Sequence, residues 1–344
     1  FAYDQRWKSL VLFGGNLAFT ASPRSDTYMY RDEKWINPPP NPTAPGPRSL
    51  FAMVGDPVRE VIWLYGGLRE GFPGSDFWKF EHGFWHLVEA ENTPVCDFPL
   101  AAFDIHRSRM VLVCTDSSTY EWDGREWKAF PDLSNRPDAR RFSHLTYDQN
   151  LGRTILYGGY NALGEYVNKT WTWNGSAWTE VRSGKRPHFR ALASMWYDPI
   201  LRRTVLYGGI GRKDREGRLE RFGDMWTFDG TTWTEIKPAT MPPTRYGAQV
   251  GVDGLTNRTT LFGGLRLETG ENDLQRQVYA NDTWEWNGST WRQLQTEGAA
   301  PPRENSALAW DYSEKGFIVF GGWSGYYLSD TWRLLDNRWL VFAE

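Results

Sequence analysis

Short runs of alternating apolar and polar residues recur along the whole chain, bounded each time by Gly, Pro, Asn or Asp. SALAWD, RTVLYGG, TWTW and WTEV are examples of the four kinds. Period-two alternation rich in β-branched and aromatic residues predicts strands, not helices. The four kinds follow one another in a fixed order, so each quartet reads as one antiparallel unit with strands A, B, C and D.

The unit recurs seven times. An Asp closes strand A at Asp4, Asp56, Asp104, Asp148, Asp198, Asp253 and Asp311. Ten residues later a glycine pair begins, at Gly14, Gly66, Gly158, Gly208, Gly263 and Gly321, with Cys114-Thr115 in its place in the third copy. A strand-C aromatic (Tyr28, Trp78, Tyr120, Trp171, Trp226, Trp284 or Trp332) stands seven residues before a strand-D Trp. Those are Trp35, Trp85, Trp127, Trp178, Trp233, Trp291 and Trp339. An Arg precedes the Asp by eight residues at Arg48, Arg140, Arg190, Arg245 and Arg303. Self-similarity at a period of about 50 residues signals a repeat array with one continuous core.

The links WNGSAW, FDGTTW, WDGREW and WNGSTW put Asn-Gly or Asp-Gly between strands C and D. Both residues are expected at the centre of a tight turn, at positive φ. The recurring Asp suits the A-to-B turn because its side chain bonds nearby backbone. Seven Asp in seven separate units do not make a metal site.

Composition changes this picture at one point, the 20 Trp in 344 residues. The strand-C column, the residue two beyond it and the strand-D column hold 15 of them, so most of the excess is core packing. A net charge of −3 and a pI of about 6.1 give no basic field, and no nucleic-acid partner is expected. No apolar run reaches the roughly 18 residues that a membrane span needs. The chain opens on FAYDQRWKSLVLFGG, which reads as strand and turn and not as a basic and apolar leader.

The glycine pair, the spaced aromatics and the Trp and Arg columns resemble the kelch repeat over essentially the whole chain. The likeness is to bacterial-type kelch proteins and to the central domain of galactose oxidase-like proteins. It implies an all-β, seven-bladed kelch-type β-propeller with four antiparallel strands per blade, strand A innermost. One domain over residues 1–344 is expected, with blades near 1–37, 48–88, 96–130, 140–182, 190–236, 245–294 and 303–342. A closed ring hides the sheet edges. Blade 1 begins inside strand A and lacks its Arg, so its closure against blade 7 is left open.

Spacing within the A-to-B and C-to-D links is constant, while the B-to-C connections vary in length. Function concentrates on variable loops held by a rigid scaffold. The B-to-C and D-to-A loops share one face, and that face is expected to bind. Its longest loops are residues 210–223, with Arg212, Lys213, Arg215, Arg218 and Arg221 among acidic residues, and residues 265–281. In kelch domains that grip peptides, contacts come from just after the glycine pair and just after the Arg column. The matching positions are Asn16, Leu68, Tyr160, Ile210, Leu265 and Trp323, then Ser49, Arg141, Tyr246 and Glu304. Trp323 is off-pattern and is followed by Tyr326 and Tyr327, aromatics that suit sugar rings or peptide side chains.

A binding propeller for a protein or glycan ligand is therefore expected. The alternative is a sugar-modifying enzyme, as some kelch proteins are sialic acid epimerases. Its candidate catalytic residues are His144 and His188 with Arg190 and Tyr246, a set suited to proton abstraction. Kelch copper oxidases need a cross-linked Cys–Tyr pair and two His, for which no matching set stands out. HExxH, paired CxxC and GxSxG elements are absent as well. No metal or cofactor is expected, and no signal bears on the oligomeric state. Cys96 and Cys114 replace the Arg and the first glycine of blade 3, which predicts one covalent link in place of both. Such a disulfide would favour an extracellular or periplasmic setting.

Overall fold

The computed structural model describes residues 1–15, 24–39, 41, 43–69, 72–131, 135–161, 163–182, 184–213, 219–269 and 275–343. They form seven four-stranded antiparallel sheets, each with its strands in chain order A-B-C-D. Blade 4 is representative: His144–Asp148, Arg153–Tyr157, Thr170–Trp173 and Trp178–Val181. Blade 5 adds a B-to-C hairpin, Ile210–Lys213 with Leu219–Arg221. Blade 6 adds Leu265–Thr269 and Gln275–Tyr279, on which Arg245–Tyr246 lies as a third strand.

Each turn has a local cause. The Asp148 side chain accepts from the backbone N–H groups of Asn150 and Leu151, both at 3.0 Å, and Asp4, Asp56, Asp198 and Asp253 repeat the arrangement. The C-to-D links depart from expectation by one residue. Asn174 N–H reaches the Ala177 carbonyl, so Gly175 and Ser176 are the central pair. Only the glycine has positive φ, and the Asn174 side chain accepts from both following amides. The turns with two central residues at positive φ are the ones without that motif, Asp32-Glu33, His82-Gly83 and Asp336-Asn337.

The glycine pair exists because two D-to-A loops press on it. A Cβ on Gly158 would sit 2.6 Å from the Arg190 carbonyl of the next blade. One on Gly159 would sit 2.5 Å from the Arg141 carbonyl of its own blade.

The strand-D Trp residues join the blades. Trp85, Trp178, Trp233 and Trp339 each donate through Nε1 to a Thr of the preceding blade, at Thr27, Thr119, Thr170 and Thr283, over 2.7–3.1 Å. Trp35 of blade 1 makes the same bond to Thr331 of blade 7, at 2.7 Å. An Arg333–Glu33 ion pair at 2.6 Å and the Phe1–Phe320 ring contact lie at the same seam. Blade 1 thus packs on blade 7 despite a three-residue strand A, Ala2–Asp4.

Candidate ligand-binding face

The floor of the variable face is a buried polar unit. In blade 5 the Arg190 side chain is fully buried; its Nη1 donates to the Gly208 carbonyl and its Nη1 and Nη2 grip Asp224 at 2.6 and 2.8 Å. Trp226 Nε1 donates to the same carboxylate at 2.6 Å. Blades 2, 6 and 7 repeat this with Arg48–Asp76, Arg245–Asp282 and Arg303–Asp330. Burial alone would raise the Asp224 pKa, but the hydrogen bonds and charge of Arg190 outweigh it and hold the carboxyl below its ordinary value. The Arg column was visible in the sequence; its acid, two residues before the strand-C aromatic, was missed. The signal was there, as Asp-x-aromatic in SDFW, GDMW, NDTW and SDTW.

Above this floor the two series of expected contact positions are bridged to each other. Ser49 pairs with Leu68, Arg141 with Tyr160, Tyr246 with Leu265, and Glu304 with Trp323. Asn16 lies outside the described residues, as do residues 214–218 of the charged loop.

One residue further on, every D-to-A loop takes a left-handed conformation. These positions are Leu50, Phe98, Phe142, Leu192, Gly247 and Asn305, with φ between 43 and 65°. Bulky side chains are rare in this region. Leu50 and Phe142 are 50% and 45% exposed. Residue type does not announce such a conformation for Leu or Phe, so these were not foreseen.

The rim has an apolar sector and a polar one. On blades 2–4 a cavity of about 220 Å³ is lined by Leu50, Phe51, Phe98, Pro99, Arg141 and Phe142, among others. Phe142 stacks on Tyr160 at 5.3 Å, and Arg141 lies over Phe98 at 4.4 Å with Asp97 at 3.4 Å. Arg212 is exposed and covers Phe189 at 5.0 Å. On the far side Trp323 meets Tyr327 edge-on, Tyr326 is 64% exposed, and Arg221 of the blade 5 hairpin approaches the Tyr246 ring. Glu304 Oε2 is buried without a hydrogen-bond partner among the described residues, and burial pushes this carboxyl up to about 7.

The four catalytic candidates are divided by the structure. Arg190 has no accessible surface and its donors are used within the floor. His144 accepts the Ala193 N–H through Nε2 at 3.2 Å, linking blades 4 and 5, and burial lowers its pKa to about 4. His188 is half exposed, lying against Phe189 and 3.6 Å from Glu220. Tyr246 stands beside Glu304 on the rim. In blade 3, Cys96 and Cys114 are bonded, with Cα atoms 5.2 Å apart.

Fold and repeat together define a kelch-repeat β-propeller. A family profile described as the KLHDC2/KLHL20/DRC7 Kelch-repeats domain matches residues 174–340, from the end of blade 4 through blade 7. The dynein alpha chain of the flagellar outer arm from Chlamydomonas reinhardtii is 32% identical over 134 residues. That match covers 36% of this chain and 3% of the dynein, so the chain spans only a small part of that relative. A solved structure titled "Structure of YjhT" superposes with a TM-score of 0.52 at 13% identity, covering 87% of this chain and 99% of that one, a likeness of fold. No helix of the described residues is long and apolar enough to cross a membrane.

Proposed function

We propose that this chain is a binding propeller that takes a protein ligand on the rim formed by its B-to-C and D-to-A loops. One contrast between its faces carries the reading. Both faces hold a ring of left-handed residues. On the fixed face they are Lys8, Glu60, Ser108, Gly152, Arg202, Asn257 and Lys315, all polar or glycine. On the variable face Gly247 and Asn305 fit that rule, but the other four positions hold Leu50, Phe98, Phe142 and Leu192. Left-handed backbone costs an L-residue roughly 1–2 kcal/mol. The fixed face shows that polar residues satisfy the conformation, so bulky apolar ones beside a cavity support a binding role.

The test is selection of peptides from a display library, with a glycan array run in parallel. Leu50→Ser with Phe142→Ser is expected to weaken the selected ligand at least about tenfold, or 1.4 kcal/mol. Val58→Ser with Leu255→Ser removes comparably exposed apolar groups from the fixed face and is expected to leave binding intact. Equal losses in both variants would defeat the reading. A sugar-modifying enzyme remains the second reading, favoured by Glu304, a carboxyl held near neutrality beside Trp323. Sugar turnover lost in Glu304→Gln would support it.

A further inference from the structure

Blade 4 keeps most of the floor unit and changes one part. Arg140 occupies the Arg column, with its side chain 2% exposed, its Nε donating to the Asp138 carbonyl and its Nη1 to the Gly158 carbonyl. Trp171 occupies the strand-C column and is buried. Residue 169, where blades 2, 5, 6 and 7 have Asp, is Lys. Among the described residues Arg140 Nη2 and Trp171 Nε1 make no hydrogen bond, and both atoms are buried. The nearest carboxylate, Asp138, is 3.7 Å from Nη2 and is bonded instead to Lys169 Nζ at 2.7 Å.

In the four intact blades these same two donors converge on a single carboxylate. Arg Nη2 and Trp Nε1 both reach its Oδ2, at 2.6–2.8 Å and 2.6 Å, while Nη1 takes Oδ1. We infer that blade 4 binds a carboxylate supplied by a ligand, at the place the Asp side chain fills in blades 2, 5, 6 and 7. The planar fork of Arg matches a carboxylate in two-point contact, and Trp171 adds a third bond to one oxygen. Entry is from the variable face. The Asp side chains of the intact units are 9–26% exposed, and Lys169 is 37% exposed. The long Lys169 chain turns aside to admit the ligand and then adds its charge. Burial points the same way, since it penalises the Arg140 cation and lowers its pKa to about 10, a cost that an incoming anion would offset. The inference is independent of what the apolar rim binds, although Arg141 and Tyr160 of that rim lie next to the site.

Indole N–H resonances in ¹H–¹⁵N spectra of the full chain provide the test. Sodium formate, sodium acetate and a blocked Gly-Asp-Gly peptide are titrated at constant ionic strength against chloride and sulfate. One indole signal is expected to move downfield saturably with the carboxylates and not with chloride, while the signals of Trp78, Trp226, Trp284 and Trp332 stay in place. Lys169→Asp supplies the carboxylate from the chain itself. In that variant the same signal is expected to start downfield and to ignore added carboxylate, and formate is expected to raise the melting temperature of the parent chain only. A peptide binding at least tenfold tighter than formate identifies a partner side chain as the source; saturation by formate with exclusion of the peptide identifies a free small carboxylate. No shift, an equal shift in Lys169→Asp, or an equal response to sulfate overturns the inference.

Discussion

Blades 3 and 4 have both lost the acid of the floor unit, and they have dealt with the loss in opposite ways. Blade 3 has Ser118 in the acid position and has given up the rest as well: Cys96 for the Arg, Cys114 for the glycine, Tyr120 for the Trp. A disulfide joins the two positions that elsewhere are linked by the Arg Nη1 bond to the glycine carbonyl, as Arg190 to Gly208. Blade 4 has replaced the acid alone, which leaves a buried guanidinium and a buried indole N–H without their acceptor. Removing one partner of a buried pair strands the other, whereas removing both together is nearly neutral. Blade 3 therefore reads as a completed structural exchange. Blade 4 reads as an unfinished one, and the proposed carboxylate ligand would complete it.

The sharpest way to break this comparison is to recreate each state in blade 5. Asp224→Ala strands Arg190, whose side chain is fully buried, and is expected to cost about 3–5 kcal/mol in urea unfolding. Adding Arg190→Met to Asp224→Ala is expected to recover part of that loss. If the double variant is no more stable than the single, the account of blade 3 fails. Next in size is the disulfide, which closes a separation of 18 residues. Cys96→Ala with Cys114→Ala is expected to cost about 3 kcal/mol, and reductant is expected to destabilise the parent chain and not this variant.

Most of the fold was legible because its columns sit at fixed spacing and each has one packing job. The Trp of strand D is the clearest case, although its bond to a Thr of the preceding blade, as Trp178 to Thr119, is a long-range pairing that no local pattern displays. The Asn-Gly turns were misplaced by one residue, because the Asn side chain bonds the backbone and hands the positive φ to glycine alone. Which face carries the variable loops was readable from their lengths. Its chemistry was not: Phe142 and Leu50 carry no local mark of a left-handed backbone, and Arg140 looks like every other Arg of its column. Lys169 at an Asp position was the readable trace of the change in blade 4.

Smaller effects sharpen the blade 4 side. Lys169→Asp is expected to add about 1–3 kcal/mol at pH 7, by giving acceptors to two stranded donors. The sign with pH follows from the carboxyl, whose folded pKa should fall below its unfolded value as it does at Asp224, Asp282 and Asp330. Its contribution is then full above the unfolded carboxylate range, near 4, and is lost as pH falls through the lower folded value. Thermal melts at pH 7 and pH 3 test this, and a gain at pH 3 as large as that at pH 7 would rule it out.

Glu304 on blade 7 is the mirror image, a half-buried acid with one oxygen that no donor among the described residues meets. Burial raises its pKa to about 7, so the folded chain holds a proton that the unfolded chain has released. Stability from this group is greatest below about pH 4.3 and declines as pH rises through 7. Glu304→Gln is expected to match the parent at pH 4 and to exceed it at pH 8, by about 1 kcal/mol or less once partial exposure is allowed for. A gain of equal size at both pH values would mean that charge at this position is not what strains it.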